Sequence, residues 1–502
     1  MSSNVSRRKF LGLAGAAVGL GAAGYYGLNN LGQSPTTTDP GAPGALADRY
    51  TRLALPKNPQ NYLPDEYVDF IRWLESVSEN IAGNSLRIAI EAEVGPRSLH
   101  RNRIDFETST GVELKLEFDI YKNNLSKCLL AVSTQSPTFD IMNIDVSQVG
   151  RFAPHILTIE HLMETYPELT YPGLNVDDFV APVKNFTCTY PPSLGAPWNI
   201  DFNGTFTQFP QEVPLMLRFF RKDLYSEEGR EVGVTWDEYL DDIRHFHDPS
   251  RTKFGTVLMA AKFPSIIMEF HNWLYSFGGK LWDIKKDGHI TADINSDVAV
   301  SALEHYLEVS KYAEPNSAFY GWAPAAESMS QRRAATCINL TEFASLMDIP
   351  GESYVVRQVG YARNPVGDAG ASHHYSGAGL AIPKYSRNPA AAWVFIQWAT
   401  VASMQLIAAM DPLALAVPTR KSVYENPNVQ ELVKEGTIRH FDTVKNAIDR
   451  DEINIKPGFP KWDSIEGEML NQLNQVIRGN LSPRDALNIV QKRADDVGPF
   501  TF

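Results

Sequence analysis

The sequence predicts an α/β fold divided between two lobes, and three observations carry that prediction. Strand and helix patterns alternate from Leu86 to Val146, the βαβ rhythm of a parallel sheet faced by helices. Helix starts are written in capping residues at Thr235, Asn388 and Ser482. The chain has 502 residues, beyond the ~250 to 300 at which one hydrophobic core stops growing.

The first element is a leader. In SRRKFLGLAGAA, Ser6 to Ala17, Arg7 and Arg8 stand before Phe10 and Leu11, and a glycine- and alanine-rich run continues to about Ala23. A spanning helix needs about 20 predominantly apolar residues, whereas a signal peptide has an apolar centre of roughly 7 to 15 behind a basic start. The segment meets the second description. Its order resembles a twin-arginine export signal, with Gly12 where that pattern often has lysine. Small residues allow cleavage after Ala23 or, better, after Ala47; an uncleaved N-terminal tether is the alternative. Gly19 to Gly24 spells G-x-G-x-x-G, but without a preceding strand it carries no dinucleotide meaning. Residues 1–47 are thus signal peptide and linker, and 48–85 form a helical extension in which Tyr67, Phe70, Ile71, Leu74, Val77 and Ile81 recur at helical spacing.

The main fold begins with SLRIAIEAE as a strand, a helix near RIDFETSTG, and VELKLEF, where Val112, Leu114, Leu116 and Phe118 alternate with polar residues. A helix at YKNNLSKCLLAVS leads to the strand FDIMNI. Past an irregular stretch rich in proline and aromatics, PLMLRFF is a strand and TWDEYLDDIRHF a helix with Thr235 and Glu238 at capping-box spacing. Asn388-Pro389 and Ser482-Pro483 open two later helices.

Composition excludes several classes. With 46 basic against 59 acidic residues and a net charge of -13, nucleic acid is not an expected partner. Cys128, Cys188 and Cys337 form no C-x-x-C and are expected to be buried thiols, though one disulfide is possible. No G-x-S-x-G, H-E-x-x-H, Walker or EF-hand pattern occurs. No catalytic residue, metal site or cofactor is therefore assigned. His245, His247, His373 and His374 are expected in solvated loops, and Asp241, Asp242, Asp449, Asp451 and Glu452 on charged surface. Trp273, Trp393 and Trp398 are assigned to packing. Trp198, Phe202, Phe206, Phe263, Trp282, Trp322, Tyr375 and Trp462 stand beside small polar groups, the combination that fits a sugar's apolar C–H face and hydroxyl rim.

These stretches, in this order, resemble the family 1 extracellular solute-binding proteins, the maltose-binding type of receptor of sugar ABC transporters. SLRIAIEAEVG, FETSTGVELKLEF, TFDIMNIDV, LRFFRKDLYSEEG, SFGGKLWD, SMSQRRAATCINL, YSGAGLAIPKYSRNPAAAWVFIQWAT, VPTRKSVYENP and KPGFPKWDSIEGEML carry the resemblance. It implies the type II periplasmic-binding-protein fold, two lobes joined by hinge segments near 208–214, 375–380 and 412–418. Lobe one would hold 86–211 plus 378–415, and lobe two 212–377 plus 416–502. Gly377 and Gly379 fit hinge positions.

Binding sites in such α/β proteins lie outside the carboxyl ends of the strands. That rule selects Glu93 and Asp145; alignment with the family adds Trp198, Phe263, Glu342, Tyr375 and Trp462. The expected function is capture of a neutral carbohydrate or polyol by an exported, monomeric protein and delivery to membrane permease subunits. The rivals are an exported glycoside hydrolase, whose two carboxylates can come from distant parts of the chain, and a cofactor-dependent oxidoreductase.

Overall fold

The computed structural model describes residues 65–502 apart from 196, 252 and 457. The twin-arginine leader, its cleavage points, the linker and the extension up to residue 64 lie outside the described residues. Helix α1, Asp65–Val77, buries Tyr67, Phe70, Leu74 and Val77 on one face. That face packs on α2, Val94–Thr110, where the Tyr67 hydroxyl donates to Asp105 at 2.8 Å.

The remaining principal elements, in chain order, are β1 (Ser85–Glu91), β2 (Glu113–Asp119), α3 (Tyr121–Ser133), β3 (Ile141–Asp145), β4 (Phe209–Pro210), β5 (Met216–Arg221), α4 (Trp236–His245), β6 (Phe254–Val257), α5 (Pro264–Ser276), α6 (Trp322–Ser330), β7 (Ala334–Leu340), β8 (Val359–Ala362), β9 (Ala378–Ala381), α7 (Pro389–Thr400), α8 (Ala402–Met410), α9 (Asp463–Ile477) and α10 (Pro483–Val497). Two sheets organise them. The first runs β2-β1-β3-β9-β4, with β1 parallel to β2 and β3. The second runs β6-β7-β5-β8. Every residue of β3 and of β7 is buried, the near-continuous apolar run expected of strands covered on both faces.

Neither sheet is purely parallel. In the first, β9 runs antiparallel to β3, pairing Ala378 with Asp145, because this strand arrives from the other lobe rather than through a local crossover helix. In the second, β5 runs antiparallel to β7 and β8. The chain leaves the first sheet at β4 and returns at β9, and the passing segments are stitched together. Val213 N–H donates to Val417 O at 2.9 Å, Ser376 N–H donates to Pro214 O at 2.9 Å, and Leu215 bridges Tyr375.

Local chemistry explains the helix starts. Thr235 and Glu238 form the complete capping box ahead of α4. The Ser482 side chain accepts from Asp485 N–H. Asn388 makes no side-chain cap, so α7 begins on the fixed φ of Pro389 alone. Helix α7 then buries every residue from Ala391 to Thr400. Among the described residues no single helix is long and apolar enough to cross a membrane.

Several expected surface groups are interior. His373 and His374 are fully buried, forming a short strand parallel to Ile453–Asn454, and Nδ1 of each ring has a partner in the interior: Met216 O for His373 and Asn454 Oδ1 for His374. Asp242 is 2% exposed. It is buried because the fully buried Arg218 donates to it at 2.7 Å while also reaching Tyr225 Oη, Gly233 O and Thr336 Oγ1. Trp282 is also fully buried, edge-on to Phe459, Trp462 and Phe500. The three cysteines are buried and free, and burial pushes the Cys128 thiol up to about 12.

Candidate functional site

Strand β1 ends at Glu91, and Glu93 takes an extended conformation as the residue before α2. In the other lobe β7 ends at Leu340, and a short turn of 3-10 helix, Thr341–Phe343, carries Glu342. The two strand ends face each other across a cavity of about 90 Å3. A water-sized group occupies some 10 to 15 Å3 by this measure, so the cavity suits one small ligand. Glu91, Glu93, Arg97, Arg101 and Tyr121 line it from one lobe, and Trp322, Glu342 and Leu346 from the other.

Four carboxylates crowd this place. Glu212, in the segment between β4 and β5, accepts the backbone N–H of Gly95 at 3.0 Å. One oxygen each from Glu93, Glu212 and Glu342 lies within 4.8 Å of the other two, a set that could hold a cation. Glu91, 6% exposed, lies beside them. Burial raises all four groups, and repulsion between carboxylates adds to it for Glu91, Glu93 and Glu342: Glu91 and Glu93 go well above the carboxylate range, Glu342 to about 8, and Glu212 to about 7 by burial alone. For Glu212 the Gly95 hydrogen bond opposes the rise.

Two of the neighbouring cations are paired outside the cluster. Arg101 pairs with Asp411, and the buried Lys456 lies 3.3 Å from Glu466. Glu342 Oε2, the Tyr121 hydroxyl and the Trp322 indole N–H are buried without hydrogen-bond partners.

The wall is aromatic. Trp322 meets Phe263 edge-on at 4.6 Å between ring centroids and Tyr121 at 6.1 Å. Lys122 Nζ lies 5.1 Å from the Phe263 centroid, a second contact from the Tyr121 helix to the opposite lobe. The arrangement can hold a compact polar molecule against rings, with acceptors at one end and two free donors nearby.

The sequence-selected residues fall into three groups. Glu93, Glu342 and Phe263 come together at this cavity, the first two lining it and the third packed on its Trp322 wall. Asp145 and Trp198 lie outside its lining. Asp145 is held by Ser147, whose N–H donates at 2.8 Å and whose hydroxyl also donates, and burial raises it. Trp198 spans from one lobe to the other, its indole N–H donating to Trp282 O at 2.9 Å and its ring 5.9 Å from Tyr275. Tyr375 and Trp462 are packed inside: Tyr375 is fully buried with its hydroxyl bonded to Thr187, and Trp462 sits in the Trp282, Phe459 cluster.

Gly377 and Gly379 occupy the return segment at close approaches. A Cβ on Gly377 would stand 2.0 Å from the Tyr375 hydroxyl, and one on Gly379 2.6 Å from Gln208 Cγ. Glu91, Tyr121, Glu212 and Trp322 were not among the selected site residues. Glu91 is the last residue of its strand and Trp322 one of the aromatics beside small polar groups, so both carried a signal. Glu212 carried none, since it follows no long strand.

The family model described as bacterial extracellular solute-binding protein matches residues 84–406. An ABC transporter solute-binding protein from Agrobacterium radiobacter K84 in complex with ribitol superposes with a TM-score of 0.71 at 21% identity, covering 83% of this chain and 100% of that one. Maltose-bound MalE3 of T. maritima gives 0.71 at 19% identity over 83% and 100%. A solute-binding protein from Thermotoga lettingae TMO bound to α-D-tagatose gives 0.66 at 20% identity over 82% and 99%. At these identities the likeness establishes the two-lobed fold.

Proposed function

The chain belongs to the bacterial extracellular solute-binding proteins, and from that premise we propose that it captures a carbohydrate or polyol between its lobes and delivers it to the permease subunits of an ABC importer. The observation that carries this reading is the cavity between the carboxyl ends of β1 and β7, where acceptors and aromatic rings from both lobes converge. Ribitol, tagatose and maltose in the neighbours' structures support the ligand class. A polyhydroxyl ligand offers each of these groups a partner, hydroxyls to Glu91, Glu93 and Glu342 and C–H faces to Trp322 and Phe263.

The role is transport without catalysis. Ligand touching both lobes binds the closed arrangement more tightly than the open one, and the equilibrium shifts by that difference. The hinge consists of the three stitched segments near 208–214, 375–380 and 412–418, with Gly377 and Gly379 at their tightest contacts. Lobe one holds 86–211 and 378–415, lobe two the remainder of the main fold, and the protein acts as a monomer. Asp145, Trp198, Tyr375 and Trp462 support the cleft from beneath or beside it. The twin-arginine leader sends the folded protein across the cytoplasmic membrane, where it works in the extracytoplasmic space, free or tethered by that leader.

The test is a thermal-shift screen over mono- and oligosaccharides, polyols, amino acids and oligopeptides. Free ligand at a hundred times its Kd adds about 2.7 kcal/mol, a readily visible shift. Stabilisation by amino acids or peptides alone would overturn the assignment.

A further inference from the structure

We propose that the preferred ligand carries a protonated amine as well as hydroxyls, an amino sugar or amino polyol whose ammonium sits among Glu93, Glu212 and Glu342. This rests on the reading above and narrows its ligand class.

The first observation is the set of three carboxylate oxygens, each within 4.8 Å of the others. An ammonium with N–H···O contacts of about 2.8 Å places tetrahedral acceptors roughly 4.6 Å apart, so one amine can donate to all three. The second is that Glu342 Oε2 is buried with no donor, although buried polar atoms are ordinarily hydrogen-bonded. The third is what surrounds the set. Tyr121, 8% exposed, and Trp322 line the same cavity with an O–H and an N–H that have no partners, and these suit ligand hydroxyls. The pocket therefore offers carboxyl acceptors at one end, with neutral donors lining the same cavity.

A neutral polyol leaves the first end poorly served. Its hydroxyls can donate to the carboxylates but bring no charge, and four crowded acids must then keep protons. Arg101 is paired with Asp411 and Lys456 with Glu466, so the charge of these two is shared with acids outside the cluster, and Lys456 reaches it as a through-space pull on Glu91. The aromatic wall of Trp322, Tyr121 and Phe263 favours an organic ammonium over a hydrated divalent ion, since rings attract the first and cannot ligate the second.

The groups facing the site are Glu91 at the end of β1, Glu93 and Arg97 at the start of α2, Arg101 further along it, Tyr121 on α3, Glu212 on the crossing segment and Glu342 after β7. Asp145 and Lys456 act on Glu91 through space. In the empty cleft Glu212 and Glu342 hold protons to about pH 7 and 8. An ammonium favours their ionised forms, so binding expels protons and affinity rises with pH across this range, up to the amine's own pKa.

The experiment is calorimetric titration of the full-length protein with matched pairs, glucosamine against glucose and glucamine against sorbitol, in buffers of different ionisation enthalpy. We expect the amine to bind about tenfold or more tightly than its neutral partner, since hydrogen bonds between charged groups are stronger than those between neutral ones. Proton release on binding, and for glucamine, whose amine stays protonated throughout, a Kd that falls from pH 6 to pH 8, complete the expected result. Glu342→Gln should remove most of the preference while its thermal midpoint without ligand is unchanged or higher. If that variant does not fold, proton release by the unaltered protein still decides.

A neutral sugar binding as well as its amine, with no proton release, overturns this proposal and leaves the carbohydrate reading intact. Failure of every sugar, polyol and amine to bind overturns both. Stabilisation by calcium or magnesium chloride alone, lost in Glu342→Gln, assigns the three carboxylates to a metal and overturns the ammonium.

Discussion

Replacing Trp322 with alanine tests whether the aromatic wall serves the ligand or the scaffold. Trp322 is only half-buried and opens α6, where Asn339 holds its backbone carbonyl rather than its ring. The ring meets Phe263 of its own lobe at 4.6 Å and Tyr121 of the other at 6.1 Å. Each such pair contributes about 0.5 to 1.5 kcal/mol beyond area burial, and the Tyr121 contact exists only when the lobes meet. A ligand face resting on the indole adds a comparable amount. Losing the cross-lobe pair and the ligand contact together should cost about 2 kcal/mol of affinity, roughly thirtyfold in Kd. Titration followed by calorimetry reads this directly, and urea denaturation without ligand reads the scaffold separately. The reasoning fails if Kd stays within a factor of two or three while stability falls by several kcal/mol, for then the ring is packing and the ligand lies elsewhere.

Trp462→Ala should behave in the opposite way: at 1% exposure among Trp282 and Phe459, its loss should cost about 3 to 5 kcal/mol of stability and leave Kd per folded molecule unchanged. Arg218→Met removes the fully buried partner of Asp242 and leaves the carboxylate Arg230 at 3.2 Å, the Tyr225 hydroxyl and the Gly233 N–H, so urea denaturation should show a loss of about 3 kcal/mol; the double variant with Asp242→Leu should regain much of it. Glu269, fully buried, is raised to about 8 by desolvation, against hydrogen bonds from Tyr306 and Met259 N–H that lower it. Its folded value exceeds the ordinary 4.5, so the native state holds the extra proton, and the stability this brings is present below about 4.5 and lost as pH rises through about 8. Glu269→Gln should thus gain stability relative to the unaltered protein on going from pH 5 to pH 8; a gain that is flat with pH would show that Glu269 is ionised in the fold.

The fold's first half was legible because its signals are local. Leu86, Ile88 and Ile90 alternate within one strand, and Thr235 with Glu238 closes a box within one turn. What the residues alone did not reveal is long in range. Strand β9 pairs Ala378 with Asp145, and nothing near either residue dictates an antiparallel neighbour. Burial of polar groups is equally nonlocal: His373 and His374 read as a solvated pair until Met216 O and Asn454 arrive from elsewhere to satisfy them. Asp242 looked like surface because its partner Arg218 lies on a strand outside its own helix. Tyr375 and Trp462 failed to reach the cavity for the converse reason, since an aromatic among glycines and prolines has the same local pattern whether it faces ligand or core.

The carboxylates show why this matters for mechanism. The end of its strand selects Glu93 and the resemblance selects Glu342, but what they can do depends on Glu212, which lies beside both and belongs to the segment between the sheets. The three come from one lobe, the other lobe and the connection, so bringing the lobes together brings like charges together. Burial of Glu212, and for Glu342 burial together with repulsion from Glu212, then oppose closure without ligand unless protons are taken up, which raises both groups. A bound ammonium replaces those protons and turns a term that resists closure into one that favours it. Since a ligand moves a two-state equilibrium only by its differential affinity for the two states, charge placed at the meeting point of both lobes acts with more leverage than the same charge on either lobe alone. The acid cluster thereby links ligand identity to closure, and a neutral ligand of equal size would close the same lobes less completely at pH 8 than at pH 6.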